Sequence, residues 1–289
     1  MDKNNIKNTE QRINQLRSYF ESVLDGQKDE IRKVSKNYEL RSIQPHIGQY
    51  YDCLSFKGKP FRIMIMGLEG LDEEDFSIER RTSQILVESS LQFSGKRSKY
   101  MKAVTLLLQT IIRDILGYDL IENEYFCNKA LHNHIFNYFV LSNWHITGLF
   151  EKQENSKIGK PKRTSKMDKI AVENLLEQIK ILEPTFIILL GIQIWLQDRT
   201  KSLSSRWIGI PPDKCKIQKE NFNYTIFQPS ESNPNRIPIL RFCHPSDRGK
   251  NAHPWHSTDA HYFKYIIKPV LKEVISNYEE YAQPINLIK

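Results

Sequence analysis

The sequence predicts an α/β protein, a three-layer α/β/α sandwich around a central, mainly parallel sheet of four strands. Two observations carry that expectation. Short apolar runs alternate along the chain with longer stretches of helical periodicity, the pattern of a parallel sheet covered by helices. The run Thr185–Leu190, TFIILL, is apolar on both faces, as a strand buried between two helical layers must be. A third observation bears on function: the strands stop at glycines or polar residues, and ligands of open α/β sheets bind beyond the carboxyl ends of strands.

Taken in order, Asn5–Lys36 is charge-dense, with Ile6, Ile13, Leu16, Phe20 and Leu24 at helical spacing, so one or two amphipathic helices are expected there. Gln44–Lys59, with Pro45, Gly48 and Gly58, reads as a link. Residues 1–58 thus form an amino-terminal helical extension to a domain over 59–289. Phe61–Met66 is the first strand of that domain, ended by Gly67, whose missing Cβ permits a sharp turn. Glu69, Asp72, Glu73, Glu74 and Asp75 follow, either a solvated acidic loop before a helix or a site for chemistry.

Ser77–Gln92 and Ser98–Leu116 read as helices, the second with Met101, Val104, Leu107, Leu108 and Ile111 on one face. Tyr138–Ser142 is a strand running into Asn143; Thr147–Gly148 breaks the pattern and a polar loop follows. Between Lys152 and Lys169 seven Lys/Arg face only Glu154 and Asp168, which suits either a surface loop or a phosphate contact. Asp168–Glu183 is a helix ended by Pro184, and Gly191 ends the strand after it. A basic insertion is expected near 199–224, then an edge strand at Tyr224–Phe227. Ile237–Cys243 is the last strand and runs straight into His244-Pro245-Ser246-Asp247. A helix over Thr258–Tyr278, kinked at Pro269, closes the chain.

The totals narrow the functional classes. A net charge of +8, from 42 basic and 34 acidic residues, favours an acidic partner, with nucleic acid foremost. Phe186–Trp195, the longest apolar run, is too short to span a bilayer, and Met1–Gln11 lacks the apolar core of a signal peptide. Cys53, Cys127, Cys215 and Cys243 are scattered without a C-x-x-C pair, which argues against a disulfide scaffold and against zinc or iron–sulfur ligation. His253-x-x-His256-x4-His261 matches no common zinc spacing. A cytoplasmic, reduced protein without metal or membrane contact is expected, with nucleic acid as the leading candidate partner.

Three strand ends carry polar residues in a row: Gly67-x-Glu69, Asn143 and His244-Pro245-Ser246. Between the last two lies Glu173–Gly191, ENLLEQIKILEPTFIILLG, a helix, a proline and an apolar strand ending in Leu-Gly. In this order the motifs resemble the uracil-DNA glycosylase superfamily over about Phe61 to Leu271. Gly70 stands where that family usually has Pro, and Glu69 where its uracil enzymes have Asp.

The resemblance implies a monofunctional DNA glycosylase that flips out a pyrimidine and leaves an abasic site. It makes Glu69 the carboxylate that stabilises the sugar cation or orients water, and His244 the donor to the departing base. Gly67, Leu68, Phe76 and Asn143 would bind the base, Phe76 as its aromatic wall and Asn143 by reading its edge. Pro245 and Ser246 would press on the DNA backbone, with Arg248, Lys250 and Trp255 suited to phosphate contact and wedging. Lys160, Lys162 and Arg163 would meet further phosphates. The departures in the first motif favour a larger or modified base over plain uracil, as in superfamily members that excise modified pyrimidines from bacteriophage DNA in defence. Two other readings fit the same residues: a nuclease or phosphohydrolase holding Mg²⁺ on the acidic cluster, and an inert DNA-binding relative.

Overall fold

The computed structural model describes residues 3–33, 38–67, 75–90, 99–118, 135–151, 161–162, 164–191, 207–208, 223–227, 236–246 and 253–278. Along the chain these form helix α1 (Lys3–Arg32), strands β1 (Tyr38–Ser42), β2 (His46–Ile47), β3 (Ser55–Phe56), β4 (Lys59–Pro60) and β5 (Ile63–Gly67), then helices α2 (Ile78–Ser90) and α3 (Lys99–Gln109). Strands β6 (Phe139–Asn143), β7 (Thr147–Glu151) and β8 (Pro161–Lys162) precede helix α4 (Ser165–Leu182). The rest are β9 (Phe186–Leu190), β10 (Trp207–Ile208), β11 (Asn223–Phe227), β12 (Ile237–Phe242) and helix α5 (Lys268–Ser276).

The main sheet has seven strands in the order β10-β11-β12-β9-β5-β6-β2. Its four central neighbours, β12, β9, β5 and β6, run parallel; the flanking strands are antiparallel. The expected sheet of four strands is therefore the middle of a wider, mixed one. Two additions were hidden by their shortness. His46–Ile47 extends the sheet from within what the sequence presents as a link, and Trp207–Ile208 does so from within the basic insertion. The first 58 residues are accordingly more than a helical extension.

Alternation along the parallel strands builds two cores. Ile63, Ile65, Phe139, Leu141, Phe186, Ile188 and Phe242 face one side, where Val104, Leu107 and Leu108 of α3 and Val270, Leu271 and Val274 of α5 cover them. Met64, Met66, Val140, Ile187, Leu189 and Ile239 face the other, beneath Leu16, Phe20 and Leu24 of α1 and Leu175, Ile179 and Leu182 of α4. Helices on both faces leave each strand apolar throughout, which is why their sequences read as unbroken hydrophobic runs.

Helix α1 is one helix of 30 residues, tied down by polar contacts as well as by its apolar stripe. Buried Gln27 and Asn174 exchange amide hydrogen bonds of 2.9 and 3.2 Å between α1 and α4. Asp52 is buried among Thr9, Arg12 and Arg62, accepting from Arg12 Nε at 3.1 Å and from Arg62 Nη1 at 3.3 Å. Removing this carboxylate takes the buried anion from two guanidiniums that are largely out of water and leaves them to share the exposed Glu183 carboxylate. Asp52→Ala should therefore lower stability by about 3 kcal/mol in chemical denaturation, towards the low end for breaking a buried pair. A loss below about 1 kcal/mol, the range of exposed pairs, would show that water already screens the cluster.

Helix boundaries follow local chemistry. α4 begins earlier than its apolar periodicity suggests because Thr164 caps it, its Oγ1 accepting the Met167 N–H at 3.3 Å. The closing helix passes through a wide π turn at Phe263–Ile267 immediately before Pro269. A proline cannot donate to the preceding turn and crowds its carbonyl, and the widened turn absorbs both effects. The expected break at Thr147–Gly148 is instead the start of β7, which pairs antiparallel with β1 from Ser42↔Thr147 to Tyr38↔Glu151 and makes a separate three-stranded sheet with β8. Pairing with a partner more than a hundred residues away overrides the local preference of Gly148.

Candidate functional site

The register of the parallel strands brings their carboxyl ends level. Gly67 pairs with Asn143 across β5 and β6, and Phe242 pairs with Leu190 across β12 and β9. The ladder continues one step further: Trp144 N–H donates to the Gly67 carbonyl at 2.8 Å, and Gly191 N–H to the Phe242 carbonyl at 2.9 Å. Gly67, Asn143, Gly191 and the His244 loop thus leave the sheet at the same edge, separated in sequence but adjacent in space.

Close contacts at that edge explain both glycines. A Cβ at Gly67 would lie 2.7 Å from the Tyr100 hydroxyl oxygen and 3.4 Å from Asn143 Oδ1. A Cβ at Gly191 would lie 2.8 Å from the Cβ of His244, and Gly191 also has φ +74°, a conformation that suits glycine. The Tyr100 ring, at the start of α3, packs against the His244 imidazole with centroids 5.8 Å apart and planes tilted by 30°. His244 therefore sits between Gly191 and Tyr100.

The imidazole is oriented as well as wedged. The Ser246 N–H donates to His244 Nδ1 at 3.1 Å, which requires a lone pair there. In the neutral ring the proton is then on Nε2, leaving that nitrogen as the donor. The loop that achieves this is anchored by Trp255. The sequence reading gives Trp255 a wedging role against DNA, and the structure corrects it: the side chain is 0% exposed and packs between Phe242 and Phe263. Its indole N–H donates to the Cys243 carbonyl at 2.8 Å, and its backbone N–H donates to the Pro245 carbonyl at 3.3 Å. It grips the residues on either side of His244.

Asn143 is 9% exposed at the end of β6. The segment after it is pinned by a buried pair, His145 Nε2 lying 3.1 Å from Asp168 Oδ1 in the first turn of α4, with side chains 1% and 2% exposed. Neither partner stands out in the sequence, because an isolated His and an acid in a helix's first turn are both commonplace.

Phe76 is partly buried, pairs through its backbone with Ser42 and Gln44, and has the Arg80 guanidinium 4.7 Å from its ring centroid. The aromatic side chain that touches Gly67 and His244 is Tyr100, which sequence reasoning missed. A tyrosine at the start of an amphipathic helix carries no signal beyond ordinary core packing. Pro245 is buried and Ser246 partly so. Leu68, Glu69, Asp72, Glu73, Glu74, Lys160, Arg163, Arg248 and Lys250 lie outside the described residues, while the backbone of Lys162 pairs with Leu149.

Of the acidic cluster, Asp75 is described, and it is engaged. Its Oδ1 accepts the Ser42 N–H at 2.6 Å and its Oδ2 the Lys28 ammonium at 2.8 Å. Burial works to raise this carboxyl, but Lys28 and Ser42 outweigh it and hold it below the usual range. Among the described residues no three His, Cys, Asp or Glu side chains are grouped to hold a metal. His253 instead stacks on Tyr262 at 5.3 Å, and His261 lies against Tyr265 at 4.8 Å. Among those residues too, no helix is long and apolar enough to cross a membrane. Neither protein-family models nor curated proteins give a match to the chain.

Proposed function

We infer that the protein is a DNA glycosylase of the uracil-DNA glycosylase type, which flips a damaged or modified pyrimidine into the strand-end site and hydrolyses its N-glycosidic bond. The single observation that carries the reading is the Ser246 N–H bond to His244 Nδ1. It fixes the tautomer of the neutral ring, with the proton on Nε2, the nitrogen that in this reading donates to the departing base as its ring gains negative charge. Asn143, level with Gly67 on the neighbouring strand, offers both a donor and an acceptor to a pyrimidine edge. Glu69, two residues beyond Gly67, is the carboxylate assigned to the sugar side. Cytoplasmic action as a monomer on DNA, with no cofactor, belongs to the same proposal, as does a defensive role against phage carrying modified bases.

The test is to incubate the protein with DNAs of different base composition, including phage-modified DNA, and to identify released bases by mass spectrometry with and without EDTA. Free base from at least one DNA, unaffected by EDTA, is the expected result. Strand scission that needs no alkali and disappears with EDTA would instead establish the Mg²⁺-dependent reading, and tight binding that leaves every DNA intact would establish the inert one.

Binding has its own expected result. Replacing Lys160, Lys162 and Arg163 with Ala should weaken affinity for all sequences alike and flatten its dependence on salt, by about one unit of slope for each phosphate no longer neutralised. An unchanged slope would remove this segment from the interface.

A further inference from the structure

Tyr100 carries a feature that its packing alone leaves unexplained. Its hydroxyl oxygen is buried, and among the described residues it has no hydrogen-bond partner. Buried polar groups are nearly always satisfied, so an orphan at the edge of a sheet where ligands bind points to a contact made only with ligand. The location agrees. The oxygen lies 2.7 Å from where a Cβ on Gly67 would stand, a point that Asn143 Oδ1 approaches to 3.4 Å, and the ring that bears it packs against His244. Burial pushes the phenol above its ordinary pKa, so it remains a neutral O–H, able to donate and to accept.

We propose that the Tyr100 hydroxyl is the inner hydrogen-bonding contact of the site and meets the polar edge of the bound pyrimidine. The proposal rests on the glycosylase reading for the identity of that ligand. It adds a specificity determinant: with Asn143 and Tyr100 side by side, the pocket would select bases by the groups they present to two adjacent polar atoms. His244, exposed and tilted by 30° against the ring, borders the same contact.

Tyr100→Phe isolates the hydroxyl, because the ring and its tilted packing against His244 are kept. The variant should fold with an unchanged or slightly raised Tm, since an unpaired polar atom is replaced by hydrogen. Binding of free uracil, cytosine and each base released from DNA, followed by NMR titration of wild type and variant, supplies a readout independent of catalysis. At least one base should bind the variant about five- to tenfold more weakly, the value of one hydrogen bond. Equal affinities would overturn the proposal, as would a wild type that binds none of these bases. Wild type that binds free base but releases none from DNA would keep the contact and sink the glycosylase reading. Base release with a profile untouched by Tyr100→Phe would do the reverse.

Discussion

His244→Ala is expected to slow base release by about 10²–10³-fold, the usual loss when one preorganised donor to a developing anion is removed. Affinity for DNA should change little. The substitution is a clean one here: Ala retains the Cβ that lies against Gly191, and the Cys243 and Pro245 carbonyls remain held by Trp255, so the loop has reason to keep its path. What disappears is the Nε2–H, the Nδ1 acceptor of the Ser246 N–H and the face packed on Tyr100. A donor that acts on charge formed in the transition state matters most when the leaving base is a poor anion. The defect should therefore shrink for bases that are already good leaving groups. Single-turnover release from a series of substituted pyrimidines measures this directly. A uniform slowing across the series, matched by weakened DNA binding, would reduce His244 to a residue that shapes the loop.

How far the sequence discloses this site depends on the range of the forces involved. Apolar runs at β5, β6, β9 and β12 are legible because a strand buried on both faces must be hydrophobic at every position. Gly67 and Gly191 are legible as breakers. The sequence cannot say that each is a glycine because Tyr100 and His244 crowd it, since that needs the register which brings the strand ends level. Tyr100 is invisible for the same reason: its neighbours are Gly67, Asn143 and His244, all more than thirty residues away. Trp255 shows the opposite error. A tryptophan near lysines and arginines suggests a surface wedge, yet its size and its indole N–H are what a core anchor requires. Short pairing segments such as His46–Ile47 escape because two residues establish no period, and their pairing is supplied by the finished sheet.

Glu69→Gln is the second large effect expected: base release should fall by at least about 10²-fold, as when a positioned acid–base group is removed. DNA binding should persist or tighten, because a negative charge near the phosphates disappears while the side-chain shape is kept. The choice of Glu69 among five clustered acids follows from position. β5 ends at Gly67, level with Asn143 at the edge where His244 also stands, and Glu69 follows it by two residues in the sequence, the place that the family resemblance gives the catalytic carboxylate. Asp75, by contrast, is held by Ser42 and Lys28. Asp72→Asn and Glu73→Gln should change release by less than about twofold under the glycosylase reading, which gives neither residue a part in the chemistry. If the cluster instead holds Mg²⁺, each should be as damaging as Glu69→Gln, because every ligand removed weakens the hold on the ion. Scission after alkali, which reports abasic sites, separates the cases when run on all three variants with and without EDTA. Near-normal scission by Glu69→Gln would move the catalytic carboxylate elsewhere, and equal damage from all three, rescued by added Mg²⁺, would replace the glycosylase with a metal-dependent phosphohydrolase.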